Sequence, residues 1–127
     1  MLWFKRPIKK MIPRAIALTD RQLFAQKISD LREMSLVPGP NNFRQAILEF
    51  DKLLDLILRK MEIAGNTLGD RLKNAHGLID DSSYQRLWSA HKVRNKLAHD
   101  SEIEIMSWEA KTAIEDYEVG LEKFLDR

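Results

Sequence analysis

The chain has no cysteine, few glycines and prolines, and no long uninterrupted hydrophobic stretch. The absence of cysteine excludes disulfides, thiolate zinc sites and cysteine nucleophiles, and it fits a reducing compartment, so we expect a cytoplasmic protein. No apolar run approaches the roughly 20 residues that span a bilayer. Lysine and arginine interrupt every apolar stretch near the start of the chain, which argues against a secretory signal.

The remaining candidates for binding a transition metal are carboxylates and the three histidines, His76, His91 and His99. The histidines form neither a His-x-x-x-His nor a His-Glu-x-x-His arrangement, the spacings that bring two ligands onto one face of a helix. We therefore expect neither a metal nor another cofactor. His91 is expected to pack beside Trp88, and His76 to lie near a helix end.

The net charge of +2 is unevenly distributed along the 127 residues. The first 14 residues carry five basic side chains and no acidic one, so the remaining chain has a net charge of −3. We interpret residues 1–18 as a basic and aromatic arm, and residues 19–127 as one domain of the usual size. The arm is expected to be a solvated tail or a strap over the domain; the alternatives are contact with RNA phosphates or with an anionic membrane.

Hydrophobic periodicity predicts an all-α bundle of four long helices and one short helix. Thr19 and Gln22 have the spacing of a capping box, so the first helix should begin there and stop at Pro38-Gly39-Pro40. The side chains spaced to face inward in this helix are Leu23, Phe24, Lys27, Ile28, Leu31 and Met34.

The second helix, from Asn42 to about Met61, has the strongest apolar stripe, and Gly65 is expected to end it. The stripe consists of Phe43, Ala46, Ile47, Phe50, Leu53, Leu54, Ile57, Leu58 and Met61. A short helix capped by Thr67 should follow, with Gly77 as a left-handed stop.

The segment Asp80-Asp81-Ser82-Ser83 can open a fourth helix, and Ser107 can cap the last one, with residues 100–105 as the connection. The inward stripe of the last helix is Ala110, Ala113, Ile114, Tyr117, Leu121, Phe124 and Leu125. Trp88 and Trp108 are expected to anchor the core rather than to stack on bases.

The fourth helix carries the segment Arg94-Asn95-x-x-x-His99, which combines an anion-binding group with a proton donor or acceptor. Arginine can hold a phosphate through two parallel hydrogen bonds, and histidine exchanges protons near neutral pH. Asn95 can orient a neighbour but cannot exchange protons usefully. Lys92 and Lys96 flank the segment and can attract RNA. The alternative, which spacing alone favours, is a structural hydrogen-bond network between helices.

Arg94 and His99 lie about 140° apart on an ideal helix, so they do not share a face. Two arrangements can bring them together: the helix unwinds near His99, or a second copy of the chain supplies the missing group across a two-fold axis. The second arrangement predicts a homodimer. It also places two histidines near one cleft, where one can act as base and the other as acid.

The segment resembles the Arg-polar-x-x-x-His signature of the HEPN superfamily. The resemblance covers roughly residues 42–125. In this range a long apolar helix, a short helix, the motif helix and a closing helix follow one another in the order that the family uses. The resemblance implies a HEPN-like helical bundle and a metal-independent endoribonuclease with Arg94, Asn95 and His99 as its catalytic set. Ser101 stands where related toxins often carry a tyrosine that is modified by their antitoxin.

The resemblance also implies partners, since many family members act on RNA as dimers and some are toxins restrained by an antitoxin or another protein. The competing hypothesis is a non-catalytic HEPN-like module that binds nucleotide, RNA or a protein. A third hypothesis is a membrane-peripheral helical protein that uses the basic arm.

Overall fold

The computed structural model of the protein describes residues 12–99 and 105–127, and all the regular structure in these ranges is helical. The helices are α1 (Leu18–Leu36), α2 (Pro40–Lys60), α3 (Leu68–Asn74), α4 (Asp81–His99) and α5 (Ser107–Leu125). Four of them are long and one is short, which confirms the predicted all-α architecture. None of the helices in these two ranges is long and apolar enough to cross a membrane.

Helix α2 lies at the centre of the bundle and packs against each of the other four helices. Its predicted stripe is buried, apart from Phe43, which is half-buried at the first turn. Burial of large apolar side chains contributes about 1.5–3 kcal/mol each, so this helix supplies much of the core. One acid, Asp51, is buried on the same helix.

Helices α4 and α5 run antiparallel and share the most extensive contact between helices in the described part of the chain. Lys96 pairs with Glu109 at one end, and Arg86 pairs with Asp116 nearer the other. Between them, a Cβ atom built on Gly120 would lie 2.2 Å from Cγ of Leu87, much closer than two carbons can approach. A larger residue at this position would force the Leu87 side chain to move, so Gly120 allows Leu87 to pack directly against the backbone of α5.

Two predicted helix starts and the turn after α1 are confirmed. The Thr67 side chain accepts a hydrogen bond from the Asp70 amide at 3.1 Å, which caps α3. The Asp80 carboxylate accepts from both the amide and the hydroxyl of Ser83 at 3.0 Å, and these bonds lower the pKa of Asp80. Gly39, with φ of 137°, makes the turn between α1 and α2, and α2 begins at Pro40, two residues before the predicted Asn42.

The predicted start of α1 is wrong, because Thr19 lies inside the helix and not at its cap. The N-cap is Ala17, which makes no side-chain hydrogen bond. The preceding residue Ile16 is buried, and its carbonyl accepts from Nε of Arg21 at 3.0 Å. A tertiary anchor therefore sets this start in place of a local capping box.

The predicted inward face of α1 is too wide. Phe24, Ile28 and Leu31 are buried, whereas Leu23 is 67% exposed and Lys27 is also exposed. Each step along a helix turns the side chain by 100°, so a residue adjacent to the buried line leaves the interface.

The predicted end of α2 near Met61 is confirmed, since the helix stops at Lys60, but Gly65 is not the residue that ends it. Glu62 adopts a left-handed φ of 58°, its amide donates to Arg59, and the Ile63 amide donates to Leu58. These two bonds form a Schellman motif, which usually has glycine at the left-handed position. Burial of Ile63 accompanies the stop.

The start of α5 differs by one residue, because Met106 is the N-cap and Ser107 is the first helical residue. The predicted inward stripe of this helix is buried throughout. Of the predicted connection over 100–105, residues 100–104 lie outside the described ranges, and so does Ser101.

Of the predicted N-terminal arm, only residues 12–18 are described. The Arg14 amide donates to the carbonyl of Met61 at 2.8 Å, and Ile16 belongs to the buried core. The end of the arm thus lies against the bundle, as expected for a strap. Residues 1–11 lie outside the described part of the chain.

Candidate functional site

Helix α4 carries the predicted site residues and has no acidic side chain between Ser82 and His99. Arg94 and Asn95 are half-buried, whereas His99 is exposed in the last turn. Helix α4 continues through His99, so the first arrangement considered above, unwinding of the helix near this residue, is not what the structure shows.

The half-buried residues meet a carboxylate that lies in the core. Asp51 comes from α2 and its side chain is only 6% exposed. Its Oδ1 accepts a hydrogen bond from the Tyr117 hydroxyl at 2.7 Å and lies 3.0 Å from Nδ1 of His91. Its Oδ2 lies 3.2 Å from Nε of Arg94. Asp51 therefore joins α2, α4 and α5, and it balances a buried part of the Arg94 charge.

The Arg94 side chain is held at Nε and Nη1, and part of it is exposed. Nε is fully buried, but its N–H does not point directly at the carboxylate, so the contact is an ion pair without a good hydrogen bond. Nη1 donates to Oδ1 of Asn95 at 3.3 Å. The side chain as a whole is 37% exposed, and this exposed surface belongs to atoms other than Nε.

Asn95 closes the arrangement, because its Nδ2 lies 3.4 Å from Nε2 of His91. Five side chains therefore form one connected set, which we call the Asp51 network: Asp51, His91, Arg94, Asn95 and Tyr117. Networks of this kind rigidify a core to the extent that their members are satisfied, and in this one Nε of Arg94 has an ion-pair partner but no hydrogen bond.

Tyr117 stays protonated in this environment. Burial raises the pKa of its hydroxyl well above the ordinary value, and the negative charge of Asp51 and the hydrogen bond to it raise the pKa further. The phenol is thus a fixed donor to Asp51. Its ring also stacks on Phe50 at a centroid distance of 5.6 Å.

His99 lies on a different part of α4. It shares an exposed line with Lys92 and Lys96, at the spacing that puts side chains on one helix face. Lys96 pairs with Glu109 at 3.3 Å, and Nη1 of Arg44 donates to the carbonyl of Leu97 at 3.3 Å in the same turn. Among the described residues, no hydrogen bond or ion pair joins His99 to Arg94 or Asn95.

The structure thus brings together two of the three predicted catalytic residues, Arg94 and Asn95, and leaves the third apart. His91 packs edge-on against Trp88 at 5.9 Å, which confirms its expected position, but it also belongs to the Asp51 network. Sequence reasoning missed Asp51 and Tyr117. The available signal was an acid next to Phe50 on the helix with the strongest apolar stripe, where an unpaired charge is costly.

The expectations for the remaining aromatic and histidine side chains have mixed outcomes. Trp88 packs against the core, whereas Trp108 is 68% exposed and is not a core anchor, since it precedes the buried line that starts at Ala110. His76 follows the end of α3 and is exposed, with its ring 4.6 Å from that of Tyr84.

No protein family, curated protein or solved structure was found to match the chain. The likeness to HEPN proteins therefore stays a prediction from the motif and the order of the helices. Among the residues that the structure describes, no three histidine, aspartate or glutamate side chains are grouped to hold a metal ion.

Proposed function

We propose that the protein is a HEPN-type endoribonuclease that acts as a homodimer and cleaves RNA without a metal ion. The observation that supports this most is the state of Arg94, whose buried edge is pinned by Asp51 and Asn95 while more than a third of the side chain is exposed. A guanidinium held in this way is already oriented for an anion before the anion arrives.

In the proposed reaction one His99 takes the proton from a ribose 2′-hydroxyl, and the 2′ oxygen attacks the adjacent phosphorus. The bond from phosphorus to the 5′ oxygen breaks, and a second His99 donates a proton to that oxygen. The products are a 2′,3′-cyclic phosphate and a 5′-hydroxyl. Arg94 stabilises the charge that builds on the phosphate oxygens, a contribution of about a few kcal/mol in comparable sites.

The dimer is part of the proposal because one chain keeps His99 out of the Asp51 network. A two-fold axis near the last turn of α4 brings two copies of His99 and Arg94 to one cleft. The exposed lysines Lys92 and Lys96 then extend the basic surface on both sides and attract the RNA backbone. Light scattering at tens of micromolar protein should give the mass of a dimer.

The second candidate function is a non-catalytic module that binds nucleotide, RNA or a protein partner such as an antitoxin. One observation favours it: Asp51 takes up the charge of Arg94, and His91 occupies the place beside Asn95 that a catalytic histidine would need. In this case Arg94 and Asn95 hold the bundle together. The cleavage experiment below separates the two functions.

The experiment measures cleavage of a labelled single-stranded RNA in the presence of a chelator, with the 2′,3′-cyclic phosphate identified by mass spectrometry. His99→Ala and Arg94→Ala should each reduce the rate by about 100-fold or more. The same sequence as DNA should resist, because it lacks the attacking 2′-hydroxyl.

Matched controls are available on the surface of the same chain. His76→Ala removes an exposed histidine outside the motif, and Arg59→Ala removes an exposed arginine of α2. Both variants should cleave at the wild-type rate. Absence of cleavage by the wild type contradicts the nuclease and leaves the binding module, whereas equal activity of His99→Ala contradicts the proposed mechanism, because His99 is then not the acid or base.

A further inference from the structure

We propose that Asp51 and His91 are positioning residues for Arg94. Asp51 holds the His91 ring in its Nδ1–H tautomer, and this tautomer fixes the orientation of the Asn95 amide. The amide in turn orients the Arg94 guanidinium. The arrangement itself is independent of the proposed nuclease, whereas its consequence for catalysis rests on that function.

The buried end of the His91 ring faces the Asp51 carboxylate. Oδ1 of Asp51 is an acceptor, and the Tyr117 hydroxyl already donates to it at 2.7 Å. Nδ1 of His91 lies 3.0 Å from the same oxygen, so this nitrogen must carry the proton for the contact to be attractive. In the neutral ring Nε2 is then an acceptor.

The Asn95 amide must therefore present a donor to Nε2 of His91. Nδ2 of Asn95 lies 3.4 Å from that nitrogen, so the amide NH2 points to His91. The oxygen of the amide then points the other way and accepts from Nη1 of Arg94 at 3.3 Å. Arginine can only donate, so both ends of the amide require the same orientation.

The opposite tautomer of His91, with the proton on Nε2, disrupts this arrangement. A proton on Nε2 faces the Asn95 NH2 as donor to donor, and the amide has to turn over to relieve this contact. The NH2 group then faces Nη1 of Arg94, and a hydrogen bond that now holds the guanidinium becomes a repulsion. The proton on His91 thus decides whether Arg94 is held at two points, by Asp51 and Asn95, or at one.

The wild-type test is the tautomer of His91, measured by two-bond ¹H–¹⁵N correlation near pH 8 without RNA. The signals are assigned by comparison with His76→Gln and His99→Gln. We expect the proton on Nδ1. A proton on Nε2 overturns the proposal, and this measurement needs no variant of the network to fold.

Two substitutions of His91 separate positioning from simple stability. The amide in His91→Asn can take the place of Nδ1 and donate to Asp51, but it is too short to reach Asn95. The longer side chain in His91→Gln can place its oxygen where Nε2 was and accept from the Asn95 NH2. We expect His91→Asn to unfold at the higher denaturant concentration of the two, because it keeps the more deeply buried bond.

The positioning role predicts the reverse order for Arg94. Exchange of the Arg94 Nε–H with solvent should be about tenfold faster than wild type in His91→Asn, and close to wild type in His91→Gln. If exchange follows the order of stability, His91 only fills the core and the proposal fails. The nuclease can fail separately, since an absence of RNA cleavage changes neither the tautomer nor this order.

Discussion

Arg94 and His99 are separated by only about 1.4 turns of α4, and the two ends of the motif have opposite surroundings. Arg94 reaches a buried carboxylate and shares an amide with His91, whereas His99 is exposed in the last turn. A residue fixed in a network is suited to hold an anion in place. An exposed histidine is suited to meet a second molecule, either RNA or another copy of the chain. In this account, Arg94 orients a bound anion, and His99 contacts the RNA or the second chain.

The comparison is tested most strongly by removing the carboxylate. Asp51→Ala leaves Arg94, His91 and Tyr117 without their common partner, and loss of one member of a buried ion pair costs about 3–5 kcal/mol. We expect a decrease of this size in the free energy of unfolding, measured by urea denaturation. His99→Ala and the surface control Glu33→Ala should change it by no more than about 0.5 kcal/mol.

If Asp51→Ala is as stable as the wild type, the Asp51 network does not hold the bundle, and the contrast between the two ends of the motif is lost. If His99→Ala is strongly destabilising, His99 has structural contacts that the account does not include.

A second prediction concerns Tyr117, which lies on α5 and makes the stability of the Asp51 network depend on pH. Its pKa is raised in the folded state, mainly by burial, so the unfolded chain loses this proton first as the pH rises. The contribution is fully present below the ordinary tyrosine pKa and is lost above it. Stability should therefore fall from about pH 10 upward, by up to about 1.4 kcal/mol per pH unit.

Urea denaturation between about pH 9 and 11 measures this loss. Tyr117→Phe should be less stable at neutral pH but should lose less stability over the alkaline range. An identical alkaline slope in the two proteins contradicts the prediction, because the phenol of Tyr117 then contributes nothing to it.

The order and number of the helices were predictable, and the chemistry of the core was not. The stripes of α2 and α5 are regular enough to identify their buried faces from the sequence alone. The start of α1 depends on burial of Ile16, and the end of α2 depends on a left-handed Glu62. Neither feature has a local sequence signal. These are tertiary effects that override the usual rules for capping residues and glycines.

The motif singled out Arg94 and Asn95 as candidate site residues, but it gave no information about their partners in the Asp51 network. Asp51 is 43 residues before Arg94 in the sequence, and Tyr117 is on the other side of the motif helix. No spacing rule links positions so far apart. Trp108 shows the opposite error: a large aromatic residue near an apolar stripe was assigned to the core, and the structure places it on the surface.

The smallest expected effect concerns the exposed line that His99 shares with two lysines. Lys92→Ala removes one cation from this surface, so the slope of log K against log salt for single-stranded RNA should decrease in magnitude by about 0.7. Fluorescence anisotropy with an uncleavable 2′-O-methyl RNA measures it. Lys73→Ala, an exposed lysine of α3, is the matched control and should leave the slope unchanged. Equal slopes in Lys92→Ala and the wild type place the RNA on another surface.

The central claim is that the exposed His99 acts together with its copy in a second chain. The most direct test adds His99→Ala protein to the wild type before joint refolding and measures RNA cleavage per wild-type chain, with RNA in excess. Because one cleft needs both histidines, a tenfold excess of the variant should reduce this activity to about a tenth. Activity per wild-type chain that does not change with the excess contradicts the claim, since each chain then works with its own His99 alone.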